Sequence, residues 1–152
     1  MKTLPRLIYS VNRLLWRITK PTTVGVRLIL EKHGAVLLVK HTYQPHWYLP
    51  GGGVKKGESL EEAARREASE ELGAKLGDLS LFGVYTNFYE HKNDHVVVFS
   101  CEDFTLTGKT DHEIERFDFF GPDGLPIGVS PGSLRRIREY VDGNGSPFVG
   151  PW

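Results

Sequence analysis

The sequence predicts an α/β protein, and three observations carry that expectation. Several short runs alternate apolar with polar residues, the mark of half-buried strands. Two segments, residues 59–72 and 130–143, repeat apolar residues at helical spacing between a serine and a glycine. The length of 152 residues suits one hydrophobic core, and no linker, repeat or low-complexity tract divides the chain.

The elements follow in order. Leu4, Leu7, Ile8, Val11, Leu14, Leu15 and Ile18 recur at helical spacing, with Arg6, Arg13 and Arg17 largely elsewhere. They predict an amphipathic basic helix over residues 1–20, stopped near Pro21, ahead of a domain over 21–152. Its apolar stripe is expected to pack on the domain; a homodimer contact or a membrane surface are the alternatives. Val24, Val26, Leu28 and Leu30 share one face of a strand, "EKHG" is a turn, and "AVLLVK" is the returning strand. "HTYQPHWYLPGGG" reads as a loop. "LSLFGVYTNFYE" and "HVVVFSCEDF" are two strands around the turn "HKND", and "EIERFDFF" is another. "SPGSLRRIREYVDG" is a closing helix with Ser130 or Ser133 as its N-cap, and the tail "NGSPFVGPW" is loop.

Composition narrows the class. Charged residues make up 25% of the chain and the formal net charge is zero, which argues against a general nucleic-acid binder. The charge is unevenly spread: Lys2, Arg6, Arg13, Arg17 and Lys20 face no acid in the first 20 residues, and the remainder carries a net −5. No apolar run approaches the length that spans a bilayer. Cys101 has no partner for an internal disulfide, which fits a reducing compartment, and a cytoplasmic protein is expected.

The stretch "LPGGGVKKGESLEEAARREASEELGA" carries the chemistry. On its helix, Leu60, Ala63, Ala64, Ala68 and Leu72 form the face toward the sheet. Glu61–Arg65 and Glu62–Arg66 are favourable pairs four residues apart. Glu67, Glu70 and Glu71 fall within one turn, where like charges destabilise a helix unless something offsets them. Arg66 could reach Glu70 and Lys75 could reach Glu71, which would make a solvated charged face. The alternative is a hard divalent cation, which prefers clustered carboxylate oxygens. Gly51, Gly52 and Gly53 weigh toward it, because a glycine loop at a helix start lets backbone amides approach a phosphate.

These residues resemble the Nudix box, G-x5-E-x7-R-E-U-x-E-E-x-G-U, where U is a bulky aliphatic residue. Gly52, Glu58, Arg66, Glu67, Glu70, Glu71 and Gly73 fill it, with the smaller Ala68 and Ala74 at the U positions. The resemblance implies a Nudix-type α/β/α sandwich around a mixed sheet, to which the N-terminal amphipathic helix is an addition. It implies metal-dependent hydrolysis of a phosphoanhydride bond in a nucleoside diphosphate linked to another moiety, with Mg²⁺ or Mn²⁺. Glu67, Glu70 and Glu71 would bind the metal, with the Gly51 carbonyl and Glu113, the acid before the aromatic strand. Glu67 or Glu70 would also activate water, and Glu58 with Arg66 would brace loop and helix.

Around that centre, Gly52, Gly53, Arg27, Lys40 and His41 are candidate substrate contacts. Tyr89 stands close to where a tyrosine marks the dinucleoside-polyphosphate branch of the family. With Tyr43, Trp47 and Phe88 it could offer a base a stacking surface. The expected partner is a small-molecule diphosphate, a nucleoside triphosphate or nucleoside-diphosphate sugar before a dinucleotide, with no stable nucleic-acid complex. The alternative is a non-catalytic Nudix-like module that binds nucleotide or RNA. Loss of an acid from the box would favour that module, and none is lost.

Overall fold

A computed structural model describes residue 19 and residues 21–89, 92–143 and 147–152. The amphipathic helix expected over 1–20 lies outside these residues except for Thr19, and the Tyr89 side chain lies outside them as well.

Among the described residues, nine strands and two α-helices follow one another. Strand β1 (Thr22–Lys32) turns through His33 and Gly34, both at positive φ, into β2 (Ala35–His41). That two-residue turn matches the twist of a hairpin. The short β3 (Trp47–Tyr48), the glycine loop and helix α1 (Leu60–Leu72) follow. Then come β4 (Ala74–Leu76), β5 (Ser80–Tyr89), β6 (Lys92–Cys101), β7 (Phe104–Leu106) and β8 (Ile114–Phe120). Helix α2 (Pro131–Asp142) and β9 (Phe148–Pro151) close the order.

The sheet is mixed. Its strand order is β3-β2-β1-β6-β5-β9, with β8 also paired to β2. β1 runs parallel to β6 from Thr22 to Leu30 and meets β2 only at Glu31 and Lys32, so this one strand links two halves of the sheet. Its alternation serves two cores. Val26, Leu28 and Leu30 join Leu37, Val39, Val97 and Phe99 beneath Ala63, Ala64, Ala68 and Leu72 of α1. Ile29 faces the opposite way, with Val36, Leu38, Trp47, Phe82, Tyr85 and Ile137 of α2. The result is the α/β/α sandwich.

Three expectations are corrected. The C-terminal tail is not loop: Phe148–Pro151 pairs in parallel with β5, from Gly83↔Phe148 to Thr86↔Pro151. Gly83 permits that approach, because a Cβ there would stand 2.8 Å from the Phe148 carbonyl oxygen. Phe148 packs on Phe82, Trp152 on Tyr85, and the buried Arg136 guanidinium stacks on Tyr85 and bonds the Pro151 carbonyl at 2.9 Å. Such partners are distant in sequence and invisible to local periodicity. "HVVVFSCEDF" is two strands, because the chain bends after Cys101 and β7 pairs with β4. "HKND" is not all turn: it contributes Lys92 to Asp94 to β6.

Ser130 rather than Ser133 caps α2, accepting from the Ser133 amide. Ser133 Oγ instead accepts the Leu49 amide at 3.1 Å. That bond ties α2 to the segment leading into the glycine loop. Among the described residues, no helix is long and apolar enough to cross a membrane.

Ala68 is fully buried between α1 and the sheet. Restoring a bulky aliphatic residue, Ala68→Leu, should therefore overpack this layer and lower stability by about 1–3 kcal/mol, read as a lower denaturant midpoint at unchanged m-value. An equal or higher midpoint would show that the layer has room.

Candidate active site

The site begins with how α1 is set. Ser59 accepts the Glu62 amide at 3.2 Å and Glu62 accepts the Ser59 amide at 2.7 Å, a reciprocal capping box. This occupies Glu62, so the expected Glu62–Arg66 pair does not form. The expected Glu61–Arg65 pair is also absent from the bonds Arg65 makes: its guanidinium bonds the Leu76 and Gly77 carbonyls at 2.5 and 2.9 Å. At the other end Gly73 takes φ 58°, and a Cβ there would collide with Thr107.

The glycine loop is held along β1 by backbone bonds. The Val26 amide donates to the Gly52 carbonyl, Leu28 to Pro50, and Val54 to Val24, each at 2.9 Å. Gly51 has φ 135°, which side chains rarely permit, and a Cβ there would run into the β1 backbone. A Cβ on Gly52 would stand 2.5 Å from Glu67 Oε1. The helix carboxylates thus lie directly against bare loop backbone.

The three clustered acids occupy different environments. A rotation of about 100° per residue turns Glu71 furthest toward the Ala64–Ala68 face. Side-chain exposure is 7% for Glu71, 13% for Glu67 and 47% for Glu70. Lys75 therefore does not neutralise Glu71: the chain turns at Gly73 and sends Lys75 to the exposed side of β4. Glu71 Oε2 instead accepts the Gly51 amide at 2.8 Å, and its Oε1 lies 3.7 Å from His41 Nε2. Burial raises the Glu71 carboxyl to about 7; Arg27 and the Gly51 amide oppose this, while Glu67 and Asp111 add to it.

Arg66 joins helix to loop. Its Nε and Nη2 grip Glu58 at 2.7 and 3.0 Å, Nη1 reaches Glu67 at 2.6 Å and Glu70 at 3.1 Å, and Nη2 also donates to the Gly53 carbonyl at 2.9 Å. The Arg66 bonds, with the Lys55 amide, pull the Glu58 carboxyl down to about 2. Lys55 adds a looser contact to Glu70 at 3.8 Å.

The remaining candidates divide. The Arg27 guanidinium donates to the Gly51 carbonyl. His41 is buried beside Glu71, but Lys40, one residue earlier, has the strand parity of Val36 and Leu38 and belongs to the α2 side. Glu113 bonds Tyr43, and burial, then the Glu113 and Glu71 charges, raise the Tyr43 hydroxyl to about 12. Trp47 leaves the stacking group, since it is buried in the α2 core against Phe120 and Arg116. Phe88 is exposed, and Tyr89 pairs with Lys92 at the end of the β5–β6 hairpin.

Sequence reading missed Asp111. Its amide donates to the Glu70 carbonyl, its Oδ1 accepts the Glu113 and Ile114 amides, and its charge acts on both Glu71 and His41. "DHE" offered two acids two residues apart, and spacing alone could not choose between them.

Among the described residues, no three His, Cys, Asp or Glu side chains form a ready-made metal cage. The donor set nevertheless fits a hard divalent cation. It consists of carboxylate and carbonyl oxygens, and Glu71 is a buried carboxylate whose neighbours include two further acids.

Comparison with known proteins agrees with this arrangement. A family model described as the NUDIX domain matches residues 19–140. A Bacillus subtilis (strain 168) protein provisionally named 8-oxo-dGTP diphosphatase is 32% identical over 120 residues, covering 76% of this chain and 77% of that protein. An ADP-ribose pyrophosphatase of Methanocaldococcus jannaschii is 34% identical over 116 residues, covering 73% and 69%. The crystal structure of a MutT NUDIX hydrolase from Burkholderia pseudomallei superposes with TM-score 0.70 at 26% identity, covering 77% of this chain and 96% of that one. The chain belongs to the Nudix family and is a Nudix pyrophosphohydrolase.

Glu71 provides a test in the absence of metal. A carboxyl that titrates near 4.5 when exposed and near 7 when folded favours the native state below pH 4.5, and that contribution is lost as pH rises through 7. Glu71→Gln removes the buried charge. In EDTA the variant should melt above the wild type at pH 8, with the gap shrinking as pH falls through 7 and vanishing below about 4.5. A variant less stable than wild type at pH 8 would contradict the desolvation argument.

Proposed function

We propose that this enzyme hydrolyses a phosphoanhydride bond in a nucleoside diphosphate linked to another group, with Mg²⁺ or Mn²⁺ held by Glu67, Glu70 and Glu71. The observation that carries the reading is the convergence of Glu67 and Glu71 on the backbone of Gly51 and Gly52, where no side chain separates acid from loop. Nucleoside triphosphates and nucleoside-diphosphate sugars rank ahead of dinucleotides, and a nucleoside monophosphate is one product. The relatives support a nucleotide substrate, since those named above act, by their names, on 8-oxo-dGTP and ADP-ribose.

When bound, the cation neutralises pyrophosphate charge and lowers the pKa of water. The chain's own residues do the rest. Glu67 or Glu70 takes the proton of the attacking water. Arg66 fixes both acids and, through Glu58 and Gly53, keeps helix and loop in register. Gly51, Gly52 and Gly53 let the phosphates approach the backbone. Arg27, already at the Gly51 carbonyl, is the cation placed for a phosphate oxygen, and the half-exposed Tyr43 ring offers the base a surface.

A panel of nucleoside triphosphates, 8-oxo-dGTP, nucleoside-diphosphate sugars, ADP-ribose, dinucleoside polyphosphates and non-nucleotide diphosphates separates these readings. Turnover should require Mg²⁺ or Mn²⁺, stop in EDTA and release a nucleoside monophosphate. Undiminished turnover in EDTA would end the metal reading, and turnover of non-nucleotide diphosphates alone would end the base-stacking one.

Glu70→Gln keeps the side-chain shape and removes its charge. The variant should stay folded while kcat falls at least about a hundredfold. A kcat within a few-fold of wild type would remove Glu70 from the centre.

A further inference from the structure

His41 lies outside the glutamate-rich motif, yet it is the side chain from β2 that meets it. It is 7% exposed, the last residue of its strand, on the same face as Leu37 and Val39 beneath α1. The register with β8 shifts at this point, so that His41 pairs with buried Ile114 rather than with exposed Glu115. An extra residue in one strand re-aims what lies opposite, and here it gives the imidazole an apolar neighbour. The rings of Tyr43 and Tyr48 stand 5.3 and 5.8 Å from the His41 ring and hold it edge-on or tilted.

The imidazole is thus fixed by packing, with one nitrogen facing Glu71. Nε2 lies 3.7 Å from Glu71 Oε1, and the other carboxylate oxygen is already held by the Gly51 amide at 2.8 Å. Nδ1 is buried without a hydrogen-bond partner. A ring serving packing alone would have no need of two nitrogens here, since a buried polar atom without a partner is a cost that an apolar side chain avoids.

We infer that His41 is a positioning residue for Glu71: its Nε2, 3.7 Å from Oε1, acts electrostatically with the Gly51 amide opposite to favour the rotation of the buried carboxylate that faces the glycine loop beside Glu67. The inference rests on the proposed assignment of Glu71 to the divalent cation. Loss of a group that orients a metal ligand costs roughly 10–100-fold in metal affinity or activity.

Full-length wild type, His41→Phe, His41→Asn and His41→Gln would be compared by Mn²⁺ binding without substrate, followed by electron paramagnetic resonance, and by thermal melting. Steady-state kinetics would use the diphosphate turned over fastest in the panel. Phe keeps a ring and no donor, Asn places its amide near the Nδ1 position, and Gln reaches the Nε2 position. His41→Phe and His41→Asn should bind Mn²⁺ about tenfold or more weakly and lose kcat to a similar degree, with KM at saturating metal changed less than about twofold. His41→Gln should recover most of both.

If His41→Phe fails to melt cooperatively, the Asn and Gln pair decides by the same comparison. Wild-type Mn²⁺ affinity and kcat in the Phe and Asn variants would overturn the inference. A raised KM with unchanged kcat and Mn²⁺ affinity would also overturn it and make His41 a substrate contact. A wild type that binds no Mn²⁺ would overturn the assignment of Glu71 itself, whereas equal binding by wild type and His41→Phe would overturn only the role of His41.

Discussion

One guanidinium holds the site together. Glu58, Glu67 and Glu70 come from a loop and two turns of helix, and each would repel the others if left alone. Arg66 donates to all three, and to the Gly53 carbonyl, from a single planar group. A lysine could not do this, since a point charge on a flexible stem lacks the forked donors that grip Glu58 with two nitrogens. The same residue therefore sets where the helix stands against the loop and makes the crowding of acids affordable.

Close approach needs small surfaces on both sides. Below α1 the surface is an alanine stripe, Ala63, Ala64 and Ala68, which lets the helix settle on β1 and β2. Beside α1 it is glycine: Gly51 and Gly52 leave the space that the β1 backbone and the Glu67 carboxylate fill. Strand β1 serves both contacts, packing its Val26 and Leu28 side chains on the helix while its amides hold the Gly52 and Pro50 carbonyls. Sheet register, helix packing and loop path are set by the same few residues.

Glu71 stands against stability. A carboxylate almost wholly buried, near Glu67 and Asp111, is a liability for a core and an asset for binding a cation. The fold contains that liability with one backbone amide and the nearby Arg27. Away from the site the protein is more conventional. The α2 side is closed by aromatic and aliphatic packing, with Arg136 buried between Tyr85, Glu139 and the terminal strand.

The sequence by itself determined whatever depends on neighbours in the chain. The alternation of Val24 to Leu30, the serine and glycine that bound each helix, and the alanine face of α1 are local patterns with fixed geometry. The offsets from Gly52 to Gly73 carried the family, because a helix converts spacing into direction. Tertiary structure decided what spacing leaves open. Phe148–Pro151 is a strand only because β5 offers it an edge and Gly83 offers it room. Glu71 is buried and Glu70 is not, a difference that the 100° turn per residue points to and that the distance of the sheet and the glycine loop completes. Asp111 approaches the cluster because its amide bonds the Glu70 carbonyl near the end of α1. Distances between elements, not patterns within them, set these outcomes, since the energies that decide them arise only when the two helices close on the sheet.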